Sequence, residues 1–121
     1  MRVLLADDEP KVRSALRLML EQLKKVEAVE EVENAQQLAA RLEDQSGAAR
    51  PDLLLLDWEL PGLHPGASLS ALCNRNDLKV IILSGRCQAP QAMLASLADA
   101  FISKYEPPDN LVAALQKVGA D

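Results

Sequence analysis

The chain has 121 residues, 49% of them hydrophobic, with a formal net charge of −5; this is the commonest size for one domain, so a single core over 1–121 is expected. No apolar run approaches the roughly 20 residues of a membrane span, and the start reaches acid at Asp7 too early for a signal-peptide core, so a cytoplasmic protein without membrane contact is expected. The acidic balance argues against this chain gripping nucleic acid, Cys73 and Cys87 lack CxxC spacing and read as reduced and structural, and a single histidine makes a zinc site unexpected.

Val3 to Ala6 is a short continuous apolar run, as in a strand covered on both faces. Pro10 can open a helix, and Val12, Ala15, Leu16, Met19, Leu20 and Leu23 follow at helical spacing on one face. Val26 to Glu33 interleaves Val and Glu and reads as an edge strand. Asn34 can cap a helix carrying Ala35, Leu38, Ala39 and Leu42 on one face. A polar loop, Gln45 to Pro51 with Ser46-Gly47, follows. Leu53 to Leu56 is a second buried-strand run that ends at Asp57. The turn-rich Pro61-Gly62-Leu63-His64-Pro65-Gly66 comes next, then a short helix suggested by Leu69, Leu72 and Cys73. Val80 to Leu83 is the clearest strand and ends at Ser84-Gly85. Pro90 to Leu97 reads as a short Ala-rich helix, and Ala100 to Ile102 as a fifth strand followed by Ser103-Lys104. Pro107-Pro108 opens a last helix with Leu111, Ala114, Leu115 and Val118 inward. Five strands and five helices in alternation imply an α/β fold: a doubly wound, flavodoxin-like parallel sheet with right-handed crossovers and helices on both faces.

In such a sheet ligands bind outside the carboxyl ends of the strands, at the switch point. The strand order 2-1-3-4-5 sets strands 1 and 3 side by side, so Asp7-Asp8 and Asp57 would meet in one crevice, with Ser84 and Lys104 arriving from strands 4 and 5. Three carboxylates at close range repel and call for a compact cation. Mg²⁺ fits: it is hard, octahedral and held by carboxylates, waters and phosphate oxygens. An aspartate oxygen can attack a phosphoryl group to give an acyl phosphate. Catalysis then needs in-line positioning and neutralisation of the phosphoryl oxygens, one by Mg²⁺, one by Lys104 and one by Ser84 with backbone amides.

At these residues the chain resembles, essentially end to end, the CheY-like receiver domain of bacterial two-component response regulators. The motifs are Leu5-Ala6-Asp7-Asp8-Glu9-Pro10, Leu55-Leu56-Asp57-Trp58-Glu59-Leu60-Pro61-Gly62, Ile82-Leu83-Ser84-Gly85 and Phe101-Ile102-Ser103-Lys104. Together and in order they are specific; any one alone is weak. The resemblance implies a phosphoryl-accepting switch of a phosphorelay. Asp57 is then the phosphoacceptor, Asp8 a direct Mg²⁺ ligand, Asp7 a ligand through water, and the Glu59 backbone carbonyl a further ligand. Ser84 and Lys104 contact the phosphoryl group, and Phe101 is a switch aromatic that turns inward as the Ser84 hydroxyl moves. The implied partner is a histidine kinase or phosphotransfer protein, and a homodimer on activation is compatible with the family. The protein is then a regulator that catalyses only its own phosphoryl transfer and dephosphorylation. The first helix around Val12-Arg13-Ser14-Ala15-Leu16-Arg17 and the ending Leu111 to Gly119 look most like receivers that precede helix-turn-helix output domains. The chain stops at Asp121, directly after the last expected helix, which suits a stand-alone regulator or the receiver of a longer protein with a DNA-binding output domain.

Two departures stand out. Tyr105 follows Lys104 where the family usually has a cis proline; a cis bond before a non-proline costs roughly 3–4 kcal/mol, so trans is expected. The loop after Asp57 is one residue longer before Gly66 than usual. Each residue also has a plainer account: Asp7-Asp8 as helix caps, Lys104 as a solvated loop lysine, Ser84-Gly85 as a turn, Phe101 as strand core. Glu59 and Arg86 are candidates for tuning water access to the acyl phosphate, with surface charge an equal account. His64 is assigned no role, and Trp58 is expected to pack or lie partly exposed beside the site. Two functions compete with the switch. One is a phosphorylation-independent interaction module, suggested by Tyr105. The other is an aspartyl-phosphate hydrolase, which wants an acid two residues after the nucleophile; Glu59 holds that position, but after the third strand rather than the first, and no cap domain is present.

Overall fold

The computed structural model describes residues 1–43, 50–62, 78–84, 99–103 and 108–119. The expected helices around Leu69–Cys73 and Pro90–Leu97, the loop at Ser46-Gly47, and Lys104, Tyr105, His64, Gly66, Arg86 and Cys87 lie outside the described residues. Five strands are present: β1 (Arg2–Ala6), β2 (Ala28–Val32), β3 (Leu53–Asp57), β4 (Lys79–Ser84) and β5 (Ala100–Ser103). They form one parallel sheet in the order β2-β1-β3-β4-β5. The described helices are α1 (Pro10–Glu21), α2 (Ala35–Glu43) and α3 (Pro108–Lys117). Among the described residues no helix is long and apolar enough to cross a membrane.

The sheet is apolar on both faces, which is why β1, β3 and β4 read as unbroken hydrophobic runs. Val3, Leu5, Leu53, Leu55, Ile81 and Leu83 point to one face, where Leu20 of α1 and Leu111, Ala114 and Leu115 of α3 cover them. Leu4, Ala6, Leu54, Leu56, Val80 and Ile82 point to the other, packed by Leu38 and Leu42 of α2. At the edge, β2 exposes Glu31 and buries Val29 on one face of the sheet and Val32 on the other. The start of the sheet is pinned by Asp52, whose Oδ2 accepts from the Arg2 amide at 2.8 Å while its own amide donates to the Arg2 carbonyl at 2.8 Å.

Local chemistry sets the helix ends. Asn34 caps α2: its Oδ1 accepts from the Gln37 amide at 2.8 Å, and Gln37 Oε1 accepts from the Glu33 amide at 2.8 Å, two otherwise orphaned donors satisfied reciprocally. The bidentate pair from Arg41 to Glu30, with Nη2 to Oε1 at 2.9 Å, fastens α2 to β2. Past the end of α3, Gly119 adopts φ +86, the left-handed conformation that terminates helices and that a Cβ disfavours. The α1 stripe departs from expectation at one position. Val12, Leu16, Met19 and Leu23 are half-buried and Leu20 is buried, but Ala15 is exposed, and Leu18 is 65% exposed.

Candidate functional site

The strand ends converge because the register aligns them: Ala6 pairs with Leu56, Asp57 with Leu83, and Ser84 with Ser103. The ladders run one residue further. The Asp7 amide donates to the Val32 carbonyl at 3.2 Å, and the Trp58 amide to the Leu83 carbonyl at 2.7 Å. Asp7 and Asp57 are thereby carried on continued sheet hydrogen bonding to the ends of neighbouring strands, and both are fully buried, as is Ser84.

Carboxylate oxygens of Asp7, Asp8 and Asp57 lie within 4.8 Å of one another; Asp8 is exposed. This is a donor set of hard oxygens around one point, open on the Asp8 side, and its chemistry fits a Mg²⁺ ion. Each buried carboxylate is aimed by a short turn. Asp7 Oδ1 accepts from the Glu9 amide at 2.9 Å, and Asp57 Oδ1 accepts from the Glu59 amide at 3.0 Å. The two turns repeat one device, a side chain accepting the amide two residues on. It leaves Oδ2 of each residue buried within the acidic cluster. After Asp57 the chain turns back through the Leu60 amide, bonded to the Asp57 carbonyl at 3.1 Å, and through Gly62 at φ +81. The Pro61 carbonyl then accepts from the Ala35 amide at 2.9 Å.

Helix capping does not explain Asp7-Asp8. The N-cap of α1 is Glu9, in extended backbone, and no side chain bonds across that cap; Asp7 shapes the turn before it. Ser84 donates its hydroxyl proton to Glu59 Oε1 at 2.9 Å. Trp58 is half-buried, and with the partly buried Phe101 it packs on the α2 side of the sheet. Four of the expected side chains, Asp7, Asp8, Asp57 and Ser84, therefore sit at adjoining strand ends, with Glu59 bonded to two of them. Lys104 is outside the described residues.

Sequence reasoning missed two neighbours of the site. Arg13, on α1, donates from Nη1 to the Asp7 backbone carbonyl at 2.8 Å, and from Nε to Glu31 Oε1 at 3.2 Å. Arg17 extends this network to Glu31 Oε2 at 2.6 Å and to Glu21 at 3.0 Å; the Glu31 carboxylate, and then that of Glu21, raise the guanidinium above its ordinary pKa. The pairing of Arg13 and Arg17 one turn apart on α1 with acids on β2 was the available signal. The other miss is the bond from the Ser84 hydroxyl to the Glu59 carboxylate: from sequence, Glu59 is expected as a carbonyl ligand and as a candidate for tuning water access, not as a partner of Ser84.

Comparison with known proteins agrees with this architecture. The family model described as "Response regulator receiver domain" matches residues 3–116. The phosphate regulon transcriptional regulatory protein PhoB of Pseudomonas aeruginosa is 34% identical over 122 residues, covering 96% of this chain and 50% of that protein; the chain thus spans about half the length of the curated relatives it matches. Among solved structures, RcsB from Salmonella enterica serovar Typhimurium, bound to promoter rprA in the presence of phosphomimetic BeF3-, superposes with a TM-score of 0.78 at 27% identity, over 96% of this chain and 66% of that one. The response regulator TrrA from Thermotoga maritima, in complex with Mg²⁺-BeF, gives 0.73 at 25% identity and 97% coverage of both chains. With a family model spanning nearly its whole length and an acidic crevice where its strands end, the chain belongs to the response regulator receiver domain family.

Proposed function

We propose that this protein is a phosphoryl-accepting switch in which Asp57 takes phosphate from a phosphohistidine of a kinase or phosphotransfer protein in the cytoplasm. The convergence of Asp7, Asp8 and Asp57 within 4.8 Å at the ends of β1 and β3 carries this reading. Asp8 and Asp57 would hold Mg²⁺, with Asp7 reaching it through a water and the Glu59 carbonyl completing the protein's share. Mg²⁺, when bound, supplies the positive charge that offsets the carboxylates and the phosphoryl oxygens.

The chain's own groups then have defined tasks. The β3 ladder and the Glu59 amide orient the Asp57 carboxylate for in-line attack. A carboxylate oxygen bonds to phosphorus as the phosphorus–nitrogen bond of the donor breaks, and the imidazole leaves with the electron pair. Lys104 and Ser84 engage phosphoryl oxygens, and Phe101 turns inward as Ser84 moves, shifting a two-state surface that an output domain or partner reads. The RcsB and TrrA structures, solved with beryllium fluoride, support the chemistry by analogy.

The test is exposure to radiolabelled acetyl phosphate with Mg²⁺. An acid-stable, hydroxylamine-labile label on the wild type that is lost in Asp57→Ala is expected. No label on the wild type, or an undiminished label on the variant, would sink the reading and leave the phosphorylation-independent interaction module in its place.

A further inference from the structure

We propose that the Glu59 carboxylate is a positioning group that holds the Ser84 hydroxyl in the unphosphorylated arrangement and must release it before Ser84 can serve a phosphoryl group on Asp57; this rests on the phosphoacceptor reading above. A serine hydroxyl carries one proton. That proton is donated to Glu59 Oε1 at 2.9 Å. Ser84 is fully buried, so bulk water does not compete at the donor end, and the acceptor is ionised, which strengthens the bond. A phosphoryl oxygen and Glu59 therefore compete for one proton.

Glu59 is placed to feel the phosphoryl group directly. Its amide binds Asp57 Oδ1 at 3.0 Å while its side chain holds Ser84, 25 residues later in the chain. Phosphate on Asp57 brings negative charge beside the Glu59 carboxylate and a stronger acceptor beside Ser84, and both effects favour opening the same bond. Glu59 is exposed, so water can solvate its carboxylate once the bond to Ser84 opens. The chain thus carries an internal brake, set by the acid two residues past the nucleophile. Removing the carboxylate shifts the unliganded protein toward the arrangement that phosphate stabilises.

The experiment is calorimetric titration of the whole chain with beryllium fluoride at saturating Mg²⁺, in wild type, Glu59→Gln and Glu59→Ala, each with Ser84 and with Ser84→Ala. With Ser84 present, Glu59→Ala is expected to bind about 3–10-fold more tightly than wild type, below the range for a hydrogen bond to a charged group because Glu59 is exposed. Glu59→Gln, which keeps an uncharged acceptor, falls between the two. In the Ser84→Ala background the gain disappears, as coupling between the two side chains requires. An equal gain in both backgrounds would mean that Glu59 acts by repulsion alone and would overturn the proposal, as would equal affinity of wild type and Glu59→Ala. Failure of every form to bind would remove the phosphoacceptor reading and the brake with it.

Discussion

Asp57→Asn should make the metal-free protein more stable, although it removes the proposed nucleophile. The carboxylate oxygens of Asp57, Asp7 and Asp8 lie within 4.8 Å of one another. At that distance two unit charges repel by roughly 3–4 kcal/mol at an effective dielectric near 20. The pair with exposed Asp8 is screened toward the water limit of about 1 kcal/mol, while the pair with buried Asp7 keeps more of its strength. Weakening the Glu59 N–H bond to Oδ1 by neutralising its acceptor returns about 1 kcal/mol, and the Arg13 guanidinium bonded to the Asp7 carbonyl returns more. The net expectation is a gain of about 1–3 kcal/mol, or roughly 0.5–2 M in urea midpoint for a small domain. The assay is urea unfolding followed by Trp58 fluorescence, with EDTA and with Mg²⁺. Saturating Mg²⁺ at about 100 times its dissociation constant adds about 2.7 kcal/mol to the wild type. It should add less to the variant, which has lost one carboxylate of the proposed metal site, so the gap narrows or reverses. An Asp57→Asn midpoint at or below wild type in EDTA would refute the view that the site stores carboxylate repulsion.

Other expectations follow from single contacts. Arg13→Met removes the donor that holds the Asp7 carbonyl; Mg²⁺ binding by Trp58 fluorescence should weaken several-fold, and Arg13→Lys, which cannot fork to Asp7 and Glu31 together, should not restore it. Asn34→Ala removes the α2 cap and should cost about 1 kcal/mol in urea unfolding without changing Mg²⁺ affinity. Leu55→Ala, in the fully buried centre of β3, should cost about 2–5 kcal/mol, with an unchanged affinity for Mg²⁺ in whatever fraction remains folded.

The parts of this molecule legible from sequence are those dictated by short-range pattern. Val3–Ala6, Leu53–Leu56 and Val80–Leu83 had to be covered on both faces because nothing polar interrupts them, and that alone requires a parallel sheet with helices on each side. Asp57 was readable because a charge ending such a run can only lie at the sheet's rim. Ala15 fooled the periodicity: a small residue at the margin of an apolar stripe buries little area, so the core does not demand it. The bond from Ser84 to Glu59 was not readable, because it depends on the register that sets Asp57 beside Leu83, which no local pattern encodes. Arg13 was hidden for a related reason. A helical arginine is solvated by default, and only the turn at Asp7–Glu9 brings a carbonyl within its reach.

Glu59 shows why the site is more than its acids. Its amide binds Asp57, its carboxylate holds the hydroxyl on the neighbouring strand, and both bonds arise from one turn after β3. In the proposed switch the amide bond orients Asp57, whereas the carboxylate bond holds a hydroxyl that must move. One residue can serve both because the backbone is locked by the Trp58 and Leu60 amides, which bond the Leu83 and Asp57 carbonyls, while the exposed side chain is held at Ser84 by its carboxylate. On the proposed function, orientation of Asp57 is thereby separated from release of Ser84. A substitution confined to the Glu59 side chain should change how readily the switch moves while leaving Asp57 equally well aimed. The acetyl phosphate label on Glu59→Gln should accordingly stay on Asp57, and its rate, rather than its position, should differ from wild type.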